Sequence, residues 1–172
     1  MAAYLDGDGR AFGEIVRRYA ASLLRFMRRG LYQPSDAEDL VQQTFLHVHR
    51  ARSDFDMGER LVPWLFAIGL NVKRDYLRGR RRRSEHSQAA AEATLSGARD
   101  PDSERFAAER DLELALSQLP AAHREVIELH WFSGLSFPEV AQTLGDTTTA
   151  VKVRAHRGYV KLRELLATKQ SS

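Results

Sequence analysis

The helical spacing of apolar residues is the feature that most constrains the fold of this 172-residue chain. An α-helix has about 3.6 residues per turn, so large side chains three or four positions apart share one face. One such series runs from Phe12 to Met27, a second from Leu40 to Val48, and a third from Leu61 to Tyr76. No segment makes a convincing sheet. The pattern therefore predicts an all-α protein.

Composition divides the chain into two parts. Residues 84–102 are rich in Ala, Ser and Glu, contain the helix breakers Gly97 and Pro101, and carry few large apolar side chains. Such a segment need not pack against anything. We predict a flexible linker there, which joins a helical domain at residues 1–83 to a second helical domain at residues 103–172.

The cations of the chain are clustered. The net charge is +3 and the pI is near 9.4. Between Lys73 and Arg83 seven cations accompany one acid, Asp75, and a second cluster runs from Lys152 to Arg163. Amphipathic helices expose Lys and Arg to solvent in any case, but two separate basic patches on a small protein favour a polyanionic partner.

Several classes of protein are disfavoured by what the sequence lacks. It has no cysteine, which excludes a disulfide framework or a thiolate zinc site and suits a reducing, cytoplasmic location. No apolar run approaches the 18 or so residues of a membrane span, and the N-terminus does not resemble a signal peptide. We therefore expect no membrane insertion.

Motifs for catalysis are also missing from the sequence, which has neither a phosphate-binding glycine loop nor a nucleophile elbow. His47 and His49 are two positions apart and face different sides of a helix. His123 and His130 are not part of an HExxH motif. We predict that the chain is not an enzyme and has no metal site and no cofactor.

The C-terminal part has the layout of a helix-turn-helix. Ser136 and Glu139 are spaced as a capping box, and Gly145 can take the left-handed conformation that ends a helix. Three threonines at positions 147–149 then open a second helix, where a hydroxyl can cap free N–H groups. This layout is typical of DNA-binding proteins.

The second helix explains a segment that would otherwise look like a strand. Residues 151–156 alternate between apolar and basic, but at about 100° per residue Val151 and Ala155 fall on one inward arc. Gly158 lies in the same arc, where a close helix contact would suit it. Val153 faces outward near the start of the helix, as expected of a residue that touches a thymine methyl in a major groove.

A second candidate nucleic-acid surface lies in the N-terminal part. Asn71, Arg74 and Arg78 share one stripe of the third helix, where side chains can reach base edges and phosphates. The preceding loop carries Arg52, Phe55 and Met57, and it can offer an aromatic or apolar surface to an unstacked base.

Together these motifs resemble those of extracytoplasmic-function (ECF) sigma factors, the two-domain form of the bacterial sigma-70 family. The segment DAEDLVQQTFL at 36–46 is similar to the helix that such factors dock on the clamp coiled coil of the RNA polymerase β′ subunit. PWLFAIGLN at 63–71, followed by DYLR at 75–78, resembles the −10 recognition segment. Residues 119–157 resemble domain four, which binds the −35 element. The order of these motifs over nearly the whole chain is what makes the resemblance specific.

The resemblance implies a factor that directs core RNA polymerase to promoter DNA through the β′ clamp coiled coil and the β flap, under the control of an anti-sigma factor. The implied polymerase-binding residues are Asp36, Glu38, Asp39, Leu40, Gln43 and Phe45. The implied −10 contacts are Arg52, Phe55, Asn71, Arg74, Arg78 and Arg81. The implied −35 contacts are Thr148, Thr149, Lys152, Val153, Arg154, His156, Arg157 and Lys161. Val153 departs from the serine common in the family.

Two other functions share these motifs. A sigma-like decoy binds an anti-sigma factor without starting transcription, and we would expect its DNA-reading cations to be lost, whereas both basic patches are intact here. A helix-turn-helix regulator with two DNA sites would have no use for a docking helix at 36–46. We therefore favour an active sigma factor.

Overall fold

All regular elements are helical in the computed structural model, which describes residues 1–29, 31, 34–86 and 103–170. The α-helices in chain order are α1 Ala2–Leu5, α2 Gly9–Arg28, α3 Pro34–Arg50, α4 Leu61–His86, α5 Ser103–Ser117, α6 Ala121–Ile127, α7 Phe137–Leu144 and α8 Thr148–Gln170. A 3-10 turn covers Arg52–Asp54 and a π-helical turn covers Glu128–Phe132. The prediction of an all-α fold is confirmed. Within the described ranges, no helix combines the length and apolar character needed to cross a bilayer.

Helices α2, α3 and α4 form the core of the N-terminal half. Leu23 and Met27 of α2 are fully buried. Gly69 lets α4 approach them closely, because a Cβ at that position would lie 3.1 Å from Leu23 Cδ2 and 3.3 Å from Met27 Cε. The buried hydroxyl of Thr44 in α3 donates to the Leu40 carbonyl at 2.7 Å, so this polar group is satisfied inside the core.

Helix α8 is the central element of the C-terminal half, since α5, α6 and α7 all pack against it. Gly158 lies where α6 crosses α8. A Cβ there would come within 2.9 Å of Ile127 Cδ1 and 3.3 Å of His123 Cβ. The close helix contact predicted at this glycine is confirmed.

The two halves pack against each other around one continuous core. Helix α4 lies against α7, and α2 lies against the π-helical turn. Phe26 and Phe66 from the N-terminal half belong to the same buried apolar cluster as Leu129 and Val140 from the C-terminal half. The sequence had left the relative placement of the halves open, and the structure shows them closed on each other.

Helix α4 extends into the first residues of the predicted linker. Helix α4 continues to His86, so residues 84–86 extend that helix and do not begin a linker. The physical reason is that neither glycine nor proline interrupts the sequence between Gly79 and Gly97. The rest of the predicted linker, residues 87–102, lies outside the described residues. The domain limits themselves remain predictions.

The glycine contact between α6 and α8 gives a stability prediction. Gly158→Leu should lower the free energy of unfolding by about 1–3 kcal/mol, because the new side chain must displace Ile127 and His123. Gly13→Leu is the matched control: Gly13 is exposed on α2 and nothing would lie within 4 Å of its Cβ. The control should be neutral or stabilising by up to about 1 kcal/mol, because glycine weakens a helix interior. Urea denaturation measures both, and equal losses would contradict the assigned contact.

Candidate nucleic-acid interface

The first helix of the helix-turn-helix is held at both ends by its own sequence. The Ser136 backbone N–H donates to Glu139 Oε2 at 2.9 Å, which forms the predicted capping box. Burial raises the pKa of Glu139, but the bonds from the Ser136 hydroxyl and N–H and the charge of Arg60 outweigh burial and leave that pKa below its usual value. Gly145 ends α7 in the left-handed region, with φ of 66°. Both caps confirm the sequence prediction.

The turn into α8 is fixed by two side chains. Thr147 Oγ1 accepts the Ala150 N–H at 3.2 Å and so caps the helix. Asp146 Oδ1 accepts the Thr147 N–H at 2.8 Å, and Asp146 Oδ2 pairs with Arg154. The backbone hydrogen bond is the main reason that the pKa of Asp146 lies below its usual value. The entry of α8 is thereby held at a set angle to α7.

The outer face of α8 is a continuous exposed surface. Val151 and Ala155 are buried, as the helical reading of residues 151–156 predicted, and Val153 is 43% exposed. The predicted −35 residues Thr149, Lys152, His156, Arg157 and Lys161 are also exposed along this face, where Lys161 lies 3.2 Å from Glu164. Together with Val153 they place cations, an imidazole ring that can form hydrogen bonds and a branched apolar group along one helix face. That combination can contact both phosphates and base edges in a major groove.

Two predicted −35 residues are only partly exposed. Arg154 is half-buried and paired with Asp146, so its guanidinium holds the turn. Thr148 is half-buried in the first turn of α8. Both remain next to the exposed face, but neither presents its whole side chain to solvent.

The predicted −10 stripe on α4 is mostly exposed, but one of its residues contacts the C-terminal half. Asn71 and Arg81 are exposed, and Arg78 is exposed beside its ion-pair partner Asp75. Arg74 instead makes two hydrogen bonds to Glu125 of α6, Nε to Oε1 at 2.8 Å and Nη2 to Oε2 at 2.7 Å.

A buried ion pair adjoins this contact. Lys73 Nζ donates to Glu128 Oε2 at 2.7 Å and to the Phe26 carbonyl at 2.8 Å. Both charged side chains are 4% exposed. Desolvation is the largest influence on each group: it lowers the pKa of Lys73 and raises the pKa of Glu128, against the attraction between them. Sequence reasoning placed Lys73 in a basic patch and missed this partner, because the two residues are 55 positions apart.

The loop before α4 differs from the sequence prediction. Phe55 is 7% exposed and packs edge-on against Trp64, with 5.0 Å between ring centroids. This corrects the expectation that its ring faces an unstacked base: the ring is needed to cover Trp64. Met57 is the large apolar residue of this loop that is exposed, at 56%. Arg52 is exposed and donates to the His49 carbonyl at 2.8 Å.

The predicted polymerase-docking residues on α3 fall on two faces. Leu40 and Phe45 are buried in the core, which corrects their assignment to a docking surface, and Asp36 accepts a hydrogen bond from the Tyr76 hydroxyl. Glu38 is exposed. The face of α3 formed by Asp39, Gln42, Gln43 and Leu46 is exposed as well. The i, i+3, i+4, i+7 spacing of these four residues is the sequence signal that could have identified this face.

A groove of about 490 Å³ between α3 and α4 is lined by Gln43, His47, Asn71 and Asp75 among others, and it connects the α3 face with the α4 stripe. Within residues 1–29, 31, 34–86 and 103–170, no group of three potential ligands is arranged to hold a metal ion.

Comparisons with known proteins cover both halves. The family model of Sigma-70 region 2 matches residues 15–83, and that of Sigma-70, region 4 matches residues 109–162. RNA polymerase sigma factor CarQ of Myxococcus xanthus is 39% identical over 166 residues, covering 96% of this chain and 95% of CarQ. The structure of CnrH in complex with the cytosolic domain of CnrY is similar, with a TM-score of 0.76, 32% identity, and coverage of 97% of this chain and 94% of CnrH. Sigma factor RpoE, solved with the anti-sigma factor NepR from Bartonella quintana, has a TM-score of 0.70 at 29% identity, covering 92% of this chain and 98% of RpoE.

The cap of α8 gives a prediction that concerns stability alone. Thr147→Ala should lower the free energy of unfolding by about 1 kcal/mol, because the Ala150 N–H loses its acceptor. Thr149→Ala removes the same atoms from an exposed position two residues further on, and it should change stability by less than about 0.5 kcal/mol. Thermal unfolding followed by circular dichroism compares the two. A larger loss for Thr149→Ala would show that the cap is misassigned.

Proposed function

The chain belongs to the extracytoplasmic-function branch of the sigma-70 family of RNA polymerase sigma factors, and we propose that it directs core polymerase to promoters through the three exposed surfaces described above. The observation that supports this most strongly is the position of these surfaces. The outer face of α8, the stripe of α4 and the outer face of α3 lie outside the cores of the halves that match regions 4 and 2. Members of this family act in transcription initiation, where the polymerase supplies the catalysis.

The outer face of α8 is proposed to bind the −35 element as duplex DNA. Lys152, Val153, His156 and Arg157 would face base edges, and Thr149 with Lys161 would lie near phosphates. Val153 places a methyl-bearing side chain where the family commonly has serine. An apolar contact with a thymine methyl would follow, in place of a hydroxyl contact.

The α4 stripe and its neighbouring loop are proposed to bind the −10 element. Asn71 is suited to base edges, whereas Arg52, Arg74, Arg78 and Arg81 are suited to phosphates. Because Phe55 is buried, we assign the apolar contact with an unstacked base to the exposed Met57. Stabilising an unstacked base favours the melted promoter without any hydrolysis.

The exposed face of α3 is proposed to dock on the β′ clamp coiled coil of the polymerase. It combines the charge of Asp39 at its N-terminal end, the amides of Gln42 and Gln43, and the apolar Leu46. Charge at the rim with an apolar group at the centre is the usual composition of a specific protein interface. Asp36 and Glu38 extend the acidic side of the same helix. The β flap is proposed as a second contact of the polymerase, without an assigned residue.

An anti-sigma factor is the further partner we propose. CnrH and RpoE, which this chain resembles along most of its length, were solved in complex with the cytosolic domain of CnrY and with the anti-sigma factor NepR. We also propose that the protein acts in the cytoplasm, where the polymerase is found.

The experiment that decides the proposed function is reconstituted transcription. The purified chain and bacterial core RNA polymerase would be incubated with a pool of genomic promoter fragments, and new transcripts would be mapped. We expect a small set of start sites that depend on the chain. A chain that does not bind core polymerase would refute the proposal, and a chain that binds polymerase or anti-sigma factor without initiating transcription would be a decoy.

Base-edge contacts on α8 predict a change in sequence preference. Lys152→Ala and His156→Ala should each cost about 1–3 kcal/mol of binding to the preferred −35 duplex and relax the preference at one base pair. Lys161→Ala is the control, because loss of a phosphate contact should weaken binding to all duplexes alike and lower the salt dependence. Competition binding against a library of randomised duplexes measures both. Equal loss over all sequences for Lys152→Ala and His156→Ala would place them on phosphates.

The exposed face of α3 predicts a selective loss of polymerase binding. Asp39→Arg should weaken binding to core polymerase by roughly tenfold or more, since it reverses a charge on the proposed docking face. Duplex binding through α8 should not change. Glu14→Arg makes the same charge reversal on exposed α2 and is the control. Fluorescence anisotropy with core polymerase and with duplex DNA separates the two effects, and equal loss in both variants would contradict a specific surface on α3.

A further inference from the structure

One exposed apolar side chain lies among the cations on the outer face of α8. The large apolar side chains that are exposed within the described ranges are Leu46, Met57, Trp131 and Val153, and of these only Val153 lies on α8. It is 43% exposed and belongs to neither of the two buried apolar clusters formed by the described residues. The apolar surface of Val153 is therefore available to a partner.

The direction of this side chain follows from the periodicity of α8. At about 100° per residue, Val153 points about 180° away from the centre of the inward arc that contains Val151, Ala155 and Leu162. It is the sixth residue of the helix, which begins at Thr148. A recognition helix contacts base edges with its N-terminal residues. Val153 is thus the side chain of this face that would reach furthest into a major groove.

The charges around Val153 favour DNA as the partner. Lys152 and Arg157 are exposed beside it. The two acids nearest to it in sequence are each paired with a cation of the protein, in the pairs Asp146–Arg154 and Glu164–Lys161. A protein interface usually gathers its apolar residues at a centre where charged residues are depleted. A single apolar group among cations instead suits the major groove, where methyl groups lie between two phosphate backbones.

A valine side chain can detect only one feature of a pyrimidine. It has no hydrogen-bond donor or acceptor, so it cannot read the exocyclic oxygen of thymine or the amino group of cytosine. Its β-branching leaves one strongly preferred rotamer in a helix, so the two methyl groups are held in place before DNA binds. The apolar group that thymine presents in the major groove is its C5-methyl. Cytosine methylated at C5 carries the same group on the same ring carbon.

We propose that Val153 makes the outer face of α8 a reader of C5-methyl groups, which accepts 5-methylcytosine as well as thymine at one base pair of the −35 element. Methylation of a cytosine at that base pair strengthens binding without any change in base sequence. The methylation state of a promoter thereby becomes an input to its recognition. This inference rests on the proposed function for the contact of α8 with duplex DNA, and it adds the chemical group that this face recognises.

Pairs of duplexes that differ by one methyl group test this directly. The preferred −35 duplex would be selected from a randomised library with the full chain and resynthesised with uracil in place of each thymine in turn. We expect one position at which uracil weakens binding about fourfold, the effect of leaving one methyl group unburied. With guanine opposite that position, 5-methylcytosine should bind about fourfold more tightly than cytosine. Fluorescence competition measures each ratio, for the chain alone and with core polymerase.

Two variants of α8 make the test specific to one side chain. Val153→Ala should reduce both ratios to about one, because its shortened side chain no longer reaches the C5-methyl group. Val160→Ala is the matched control, since it removes the same atoms from a half-buried valine two turns further along the same side of α8. This control should keep both ratios. Circular dichroism establishes that both variants are folded.

The outcomes separate this inference from the proposed function. Sequence-specific binding with no methyl effect at any base pair would refute the inference. A preference for thymine over uracil without one for 5-methylcytosine over cytosine would also refute it, because a neighbouring donor would then select the thymine oxygen. Equal losses in Val153→Ala and Val160→Ala would remove the assignment to Val153. If the methyl effects are found and only Val153→Ala abolishes them, but the chain does not bind core polymerase, the inference stands and the proposed function fails.

Discussion

The buried contact of Lys73 with Glu128 is the interaction on which the arrangement of the molecule depends. Lys73 Nζ also reaches the carbonyl of Phe26, so one ammonium group joins α2, α4 and the π-helical turn. An ammonium group in an apolar core must have its partners in place, since breaking such a pair from one side costs several kcal/mol. The relative position of the two halves is therefore fixed by specific polar contacts, this pair and the Arg74–Glu125 pair among them, within a surface that also buries apolar side chains.

Each functional surface is the outward side of a helix whose inward side forms a core. On α8, the burial of Val151 and Ala155 determines that Lys152, Val153 and His156 face outward. The caps at Ser136, Gly145 and Thr147 fix where α7 ends and α8 begins, so local hydrogen bonds set the orientation of the candidate recognition face. Stability and recognition thus depend on opposite sides of the same helix.

Local chemistry made much of this predictable from sequence. The capping box, the left-handed glycine and the inward arc of α8 depend on residues within one or two turns of each other, and the structure confirms them. Leu40 and Phe45 belong to the predicted apolar series of α3 but were also assigned to the docking surface, and Phe55 was assigned to DNA, because apolar residues in a motif can serve the core as well as a partner. The pairs of Arg74 with Glu125 and Lys73 with Glu128 join residues more than 50 positions apart, and helical periodicity carries no information about such contacts.

The continuous core shared by the two halves has a consequence for the lifetime of the protein. In the closed form, Phe66 and Val140 are covered by the opposite half, and unfolding one half would uncover the other. Halves of about 70 to 85 residues bury a smaller fraction of their surface than the whole chain does, so each is less stable when separated. An opened molecule that is not held by a partner therefore exposes apolar surface to chaperones and proteases.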